Sequence, residues 1–295
     1  MHSHAIYMCM KFNRKFKDSV FTALFNDPDL LRELYGALGG VTLPQDVSVS
    51  INTLENVLYM DLYNDISFEI GGKLIVLIEH QSTVVNPNMA LRMLLYITRV
   101  LEKNIKGRNL YSGKPLLIPW PEFFVLYNGS EAFPDEKVLR LSDLFETPIA
   151  LGLPEKVNPL LELEVKVLNI NKGRNEEIVN RCKMLAEYSA FTAKARNFLK
   201  ELVNKKEAIE ETVKYCLKYG ILNEFLEKHG SEVLNMLLTE WNMEDCIAVR
   251  CEEAREEAWE KARVEVRAET QAEEKQRFLE LLDQGLTIEE IKKRL

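Results

Sequence analysis

The 295-residue sequence has no long hydrophobic run. Its longest purely aliphatic stretch extends only from Leu74 to Ile78, whereas a membrane-spanning helix needs roughly 18 or more mostly apolar residues. The N-terminal segment also lacks the apolar centre of a secretory signal peptide. We therefore expect no membrane span and a cytoplasmic protein.

Cysteine and histidine are scarce, with five cysteines and four histidines. The cysteines show no CxxC spacing and their number is odd, which argues against a disulfide framework and against a zinc site. The sequence contains no GxSxG motif, Walker loop, HExxH motif or dinucleotide fingerprint. The sequence therefore gives no support for a serine or cysteine hydrolase. It also does not indicate a P-loop nucleotide-binding protein, an HExxH metalloprotease or a dinucleotide-binding enzyme.

An excess of basic residues is also missing, since 38 lysines and arginines face 46 acidic residues and the net charge is −8. Non-specific nucleic-acid affinity depends on neutralised phosphates, so this balance argues against a general nucleic-acid coat. A nuclease needs only a local basic rim. Two clusters are candidates for such a rim, and ordinary solvated side chains explain them equally well: Lys11, Arg14, Lys15 and Lys17, and Lys103, Lys106, Arg108 and Lys114.

Paired glycines separate two segments of alternating apolar residues, which predicts a β-hairpin. A two-residue loop would place Asp65 and Glu79 on opposite faces of the hairpin. A three-residue loop, Gly71 to Lys73, instead pairs Asp65 with Glu79 and Phe68 with Val76. Only the second register puts the apolar rows on one face and both acids on the other, so we predict it.

Two directly opposed carboxylates lie within about 5 Å at Cβ and repel each other unless a cation sits between them. Oxygen ligands in this arrangement suit a hard ion such as Mg²⁺. Gln81 follows Glu79 by two residues on the same face, where its amide can orient a water molecule or a phosphate oxygen without adding charge. The alternative is a polar, solvated sheet face.

The order Asp65, then Glu79-His80-Gln81, resembles the D…ExQ variant of the PD-(D/E)XK nuclease motif, in which glutamine replaces lysine. The neighbouring segments YNDISF, LIEHQST and ALRMLLYITRVLE are similar to the Rpn family of recombination-promoting nucleases, also described as PD-(D/E)XK transposase-like proteins. Segments on either side of the motif fit the same family: FKDSVFTALFNDPDLLRELYGAL and PEFFVLYNGSEAFPDEKVLRLSDLFE. The resemblance covers about residues 16 to 170.

This resemblance implies a restriction-endonuclease-like core and a DNA endonuclease linked to recombination or mobile elements. It assigns Asp65 and Glu79 to Mg²⁺ or Mn²⁺, and Gln81 to positioning water or phosphate. Glutamine cannot relay a proton as a lysine can, so proton removal would fall to solvent or substrate. Family members also use an acid from the first helix, for which Glu33 is the candidate, although a plain surface position is the alternative.

A helix from about 88 to 105 follows Gln81 and carries Arg92 and Tyr96 one turn apart. This spacing brings both side chains near the end of the metal-bearing strand, where Arg92 can pair with a carboxylate or touch phosphate. We expect both residues to bind substrate, and a structural ion pair is the alternative for Arg92. His80 points to the apolar face and is expected to be a packed core residue.

The remaining periodicity predicts an α/β sandwich with a mixed central sheet of about five strands and three early helices. Two consecutive helices are expected between residues 19 and 38, with Asp27 as N-cap and Pro28 in the first turn. The other expected strands are 47–54, 123–127 and 161–170. Later helices are expected at four segments punctuated by Gly220 and Gly230: 175–204, 206–219, 221–228 and 230–241.

We divide the chain into a nuclease-like domain at 12–172, a helical region at 173–242, and a charged helical tail with a short terminal helix at 243–295. Thr287 and Glu290 form a capping box for that last helix. The tail fits either a solvated helix or a two-chain coiled coil, and Trp259, Val264 and Val266 favour a homodimer. The rival functional hypothesis is a non-catalytic DNA-binding or oligomerisation module on the same fold.

Overall fold

A computed structural model describes residues 19–52, 65–83, 85–146, 148–152 and 158–238, together with 259 and 263. The N-terminal basic cluster, Val264 and Val266 of the coiled-coil prediction, and the capping box lie outside these residues, whereas Trp259 is described and exposed. The chain divides into two compact units, Met1–Trp241 and Asn242–Leu295. Within the described ranges, no helix combines the length and the apolar character needed to cross a bilayer.

Six strands and seven α-helices are described, together with two short 3₁₀ helices, Leu141–Leu144 and Pro148–Leu151. The strands are β1 Val49–Ile51, β2 Ile66–Ile70, β3 Leu74–Gln81, β4 Trp120–Tyr127, β5 Glu136–Arg140 and β6 Glu164–Asn169. The helices are α1 Val20–Leu24, α2 Pro28–Gly39, α3 Met89–Ile105, α4 Glu176–Val179, α5 Lys183–Glu201, α6 Lys205–Tyr219 and α7, residues 223–238.

The hairpin between β2 and β3 has the predicted three-residue loop. Ile70 pairs with Leu74, and Phe68 pairs with Val76. Gly71 and Gly72 both adopt left-handed backbone angles, φ 57° and 65°, which other residues adopt only at a cost of about 1–2 kcal/mol. Extending the observed register by one residue places Asp65 opposite Glu79.

The sheet is mixed, as predicted, with strand order β1-β2-β3-β4-β6-β5. Strands β3, β4 and β6 are parallel, and the other neighbouring pairs are antiparallel. The carboxyl ends of the three parallel strands therefore meet at one edge, where Gln81, Tyr127 and Asn169 lie side by side. Ligands of open α/β sheets commonly bind outside this edge.

Both faces of the sheet are covered by helices. One face packs Phe68 and Ile78 against α1, α2 and the C-terminal helices. The other face packs Leu77 and Val125 against α3. The five-residue aliphatic run in β3 reflects this double burial, which is typical of central strands with parallel neighbours. The acid-bearing face is therefore a second buried layer and not a solvated surface.

Two expected elements differ from the structure. Gly230 was expected to separate two helices, yet α7 runs through it, because one glycine inside a helix costs only about 1 kcal/mol. The expected helix at 175–204 is divided into α4 and α5. The break between α1 and α2 is confirmed, and the Asp27 side chain accepts hydrogen bonds from the amides of Asp29 and Leu30.

Candidate metal centre

Asp65 and Glu79 face each other across the hairpin. Asp65 Oδ2 accepts a hydrogen bond from the His80 backbone N–H at 2.7 Å, which fixes this carboxylate against β3. Glu79 is only 4% exposed, and its Oε1 is buried and accepts no hydrogen bond from any described residue. A buried carboxylate oxygen without a donor is costly, so this oxygen needs a proton, a water molecule or a cation.

Burial dominates the ionisation of both acids. It raises the pKa of Asp65 to about 6, against the opposing effects of the His80 N–H and of Arg92. Burial, and then the charge of Asp65, raise the pKa of Glu79 well above its usual value, while Arg92 opposes the rise. Because the carboxylates destabilise each other, a divalent cation bound between them would be stabilised by both.

Arg92 on α3 supplies a positive charge beside this pair. Its Nη2 lies 3.2 Å from Glu79 Oε2 and donates to the Tyr96 hydroxyl at 2.7 Å. Its Nε also donates to that hydroxyl, at 3.2 Å. Burial, and then Glu79, raise the pKa of Tyr96 to about 12, so the phenol stays protonated. The structure thus brings Arg92 and Tyr96 to Glu79, with Tyr96 buried beneath the arginine.

The Gln81 side chain is oriented by the turn that leads into α3. Its Oε1 accepts a hydrogen bond from the Asn86 backbone N–H at 2.9 Å. Because a backbone N–H can only donate, the carbonyl oxygen of the amide must face Asn86. The Nε2 group is therefore left to donate, and no described residue accepts from it. This orientation favours binding an oxygen of phosphate or water.

Glu33 is placed differently from the other predicted site residues. Its exposed carboxylate accepts a hydrogen bond from the backbone N–H of Lys183 at 2.8 Å, in the first turn of α5. The α5 N-cap, Cys182, provides no side-chain hydrogen bond. Glu33 thus caps α5 from α2, and across the described residues no group of three acidic, histidine or cysteine side chains is arranged to hold a metal.

We expect Glu33→Ala to lower the free energy of unfolding by about 1 kcal/mol, the usual effect of losing an N-terminal cap. Glu33→Gln keeps an oxygen that can accept from Lys183 and should stay within about 0.5 kcal/mol of the wild type. Urea unfolding followed by circular dichroism measures both values. Loss of divalent-metal affinity in Glu33→Gln would contradict the capping assignment and favour a third ligand.

His80 lies on the face opposite Glu79, as predicted. Its ring stacks on Phe21 with centroids 4.9 Å apart, and its Nε2 is 3.1 Å from the Tyr188 hydroxyl. Burial, and then the nearby charge of Arg196, lower the pKa of His80 to about 3. The imidazole is neutral at physiological pH and packs in the core.

Sequence reasoning missed a row of polar side chains on α5, which we call the polar row. Its members, Tyr188, Thr192 and Arg196, recur every four residues and contact the ends of β3, β4 and β6. The only sequence signal was this spacing, because the partners are distant along the chain. The contacts are Tyr188 Oη to His80 Nε2 at 3.1 Å, Thr192 Oγ1 to Asn128 Nδ2 at 2.8 Å, and Arg196 Nη1 to Asn171 Oδ1 at 2.8 Å.

Asp65 gives a testable pH dependence. A carboxyl group whose pKa is raised by folding binds its proton more tightly in the folded state. The metal-free protein should therefore lose stability as the pH rises from about 4 to about 6. Asp65→Asn keeps the hydrogen bond from His80 and removes this titration. As the pH rises over this range, we expect the free energy of unfolding of Asp65→Asn to fall by about 2 kcal/mol less than that of the wild type. Urea unfolding in EDTA measures both. Parallel pH profiles would contradict the burial argument.

The residues present fit a Mg²⁺ or Mn²⁺ ion. Mg²⁺ is commonly held by one or two carboxylates, with water and substrate phosphate completing its shell. Asp65, directly before β2, and Glu79 on β3 provide two carboxylates, and Glu79 Oε1 is buried without a donor among the described residues. The donor set is composed of hard oxygen atoms, as this class of ion requires.

Comparison with known proteins gives one family match. The family model described as "Putative transposase, YhgA-like" matches residues 45–215, more than half of the chain. The matched range contains the whole hairpin, α3, the six-stranded sheet and the polar row. No curated protein and no solved structure matches the chain.

Proposed function

Because the chain belongs to the YhgA-like transposase family, which is the Rpn-like PD-(D/E)XK family, we propose that it is a metal-dependent DNA endonuclease with a restriction-endonuclease-like core. Membership supports a transposase-like role at a coarse level. The observation that carries the finer proposal is the pair of opposed carboxylates, Asp65 and Glu79, at the carboxyl edge of a mixed α/β sheet. Hydrolysis of a DNA phosphodiester bond is the reaction that this pair supports best.

Asp65 and Glu79 would hold the cation, with Mg²⁺ preferred and Mn²⁺ as a substitute. When bound, such an ion supplies charge stabilisation for a phosphoryl group and activates water. The buried location strengthens these interactions, because water no longer screens them. The Asp65 carboxylate is prepositioned by the N–H of His80.

Gln81, Arg92 and Tyr96 complete the proposed site. Gln81 Nε2 donates to the attacking water or to a phosphate oxygen, since its Oε1 is held by the turn. Arg92 neutralises Glu79 in the metal-free protein and provides a cation for the substrate phosphate. Tyr96 acts as a positioning residue for Arg92. Gln81 does not exchange a proton, so proton removal falls to solvent or substrate oxygen.

The test is cleavage of supercoiled plasmid by the full chain. We expect nicking with Mg²⁺ or Mn²⁺ and none with EDTA, and fluorescence anisotropy should show DNA binding in both conditions. Cleavage that persists in EDTA would contradict the metal assignment. DNA binding without cleavage in any divalent metal would favour a non-catalytic DNA-binding module on the same fold.

A further inference from the structure

We propose that Arg196 binds a phosphate of the DNA backbone next to the cleaved one, from the side of the sheet opposite Arg92. This assignment rests on the proposed function, and it adds a second substrate contact that the motif residues do not include. The polar row, the burial of Asn128 and Asn169, and the placement of the two arginines on opposite faces of the sheet support it.

The guanidinium of Arg196 is held in place and is only partly buried. Its Nη1 donates to Asn171 Oδ1, and Asn171 is itself fixed through Nδ2, which donates to the Gly129 carbonyl and to Asn169 Oδ1. Asn169 is almost fully buried. An arginine that is already oriented loses less conformational entropy when it binds a phosphate.

Arg196 lies close to the metal-bearing edge. Through Asn171 it is tied to the Gly129 carbonyl, two residues beyond the end of β4. It also opposes the burial-driven rise in the pKa of Tyr127, at the end of β4. A cation positioned over the ends of β3 and β4 lies where a ligand of this sheet is expected.

The two arginines approach this edge from opposite layers. Arg92 belongs to α3, which covers the face that carries Glu79. Arg196 belongs to α5, which covers the face that carries His80. A DNA strand that crosses the strand ends would therefore meet one cation on each side. In a chain with net charge −8, such fixed cations determine where the phosphates bind.

Asn128 provides an independent sign of a ligand at this edge. It is 1% exposed, and its Oδ1 accepts no hydrogen bond from a described residue. Its amide orientation is fixed, because the Thr192 hydroxyl donates to a backbone carbonyl of Tyr188 or Ser189 and so accepts from Asn128 Nδ2. A water molecule that bridges this oxygen to a phosphate would satisfy it.

The experiment measures the salt dependence of binding to a fluorescein-labelled duplex of about 25 base pairs, by anisotropy with Mg²⁺ present. The full chain carries Glu79→Gln so that it does not cut the probe. We expect Arg196→Gln to weaken binding roughly fivefold and to reduce the slope of log K against log salt by about one. Arg196→Lys, which keeps the charge, should keep the slope.

The matched control is Arg181→Gln, which removes an exposed arginine paired with Glu177 and should leave the slope unchanged. An unchanged slope in Arg196→Gln, with or without a lower Tm, would show that Arg196 only holds Asn171 and would overturn the assignment. An equal loss of slope in Arg181→Gln would overturn it too, as a diffuse charge effect. If the Glu79→Gln parent binds no DNA, the proposed function itself fails.

Discussion

Glu79→Gln is expected to abolish Mg²⁺-dependent DNA cleavage, with a fall in rate of about 10³-fold or more. The substitution keeps the shape of the side chain and removes one of the two carboxylates that would hold the ion. Loss of a single electrostatic contact in an active site commonly reduces the rate by about 10² to 10³-fold, and Glu79 would be an anionic ligand of the proposed ion. Plasmid nicking under single-turnover conditions measures the effect.

The matched control is Glu69→Gln, which neutralises a half-buried acid on the neighbouring strand β2. Glu69 lies on the same face of the sheet as Glu79 but contacts Asn104 and not the proposed metal site. Its substitution therefore tests the effect of removing one negative charge from this face. We expect it to cut DNA at nearly the wild-type rate. Circular dichroism and the Tm of Glu79→Gln should show a folded protein. Wild-type cleavage by folded Glu79→Gln would remove this carboxylate from the proposed site.

Arg92→Met is expected to have the largest effect on stability, lowering the free energy of unfolding by about 3 kcal/mol at pH 8 without metal. Methionine fills a similar volume, yet it leaves the buried Glu79 carboxylate without a cation. At pH 5 the loss should be smaller, because Glu79 can be protonated. The smaller loss at low pH follows from the raised pKa of Glu79. Folding favours the neutral form of this carboxyl group, and the neutral form needs no cation beside it.

A double-mutant cycle isolates the ion pair from the packing of the arginine. Arg92→Met combined with Glu79→Gln should recover most of the stability lost in Arg92→Met, because no unpaired charge stays buried. Arg92→Lys retains a positive charge and should be intermediate, since lysine lacks the fork that reaches Glu79 and Tyr96 together. Additive losses in the double variant would mean that the Arg92–Glu79 ion pair itself contributes nothing to stability.

The hairpin shows what can be predicted from local sequence. Paired glycines between two alternating apolar rows restrict the loop to a few lengths, and only one length keeps Phe68 and Val76 on the same face. The observed register confirms this choice. The break at Asp27-Pro28 was predictable for a similar reason, because the cap and the proline lie beside each other in the chain.

The rest depends on contacts between distant segments. Strand β5 was missed because only Leu139 in it is buried and its pairing with β6 comes from the tertiary fold. The capping role of Glu33 involves an amide 150 residues away, which no local pattern reveals. The burial of the acids could not be predicted either. The alternating sequence pattern indicates a polar face, and only the tertiary fold shows that α3 packs over it.

The polar row of α5 has a consequence for biosynthesis. Strands β3 and β4 leave the ribosome well before α5, so the edge that carries Glu79 is complete only after Arg196 has been translated. A nascent or prematurely terminated polypeptide that ends before α5 lacks the helix that ties the three strand ends together.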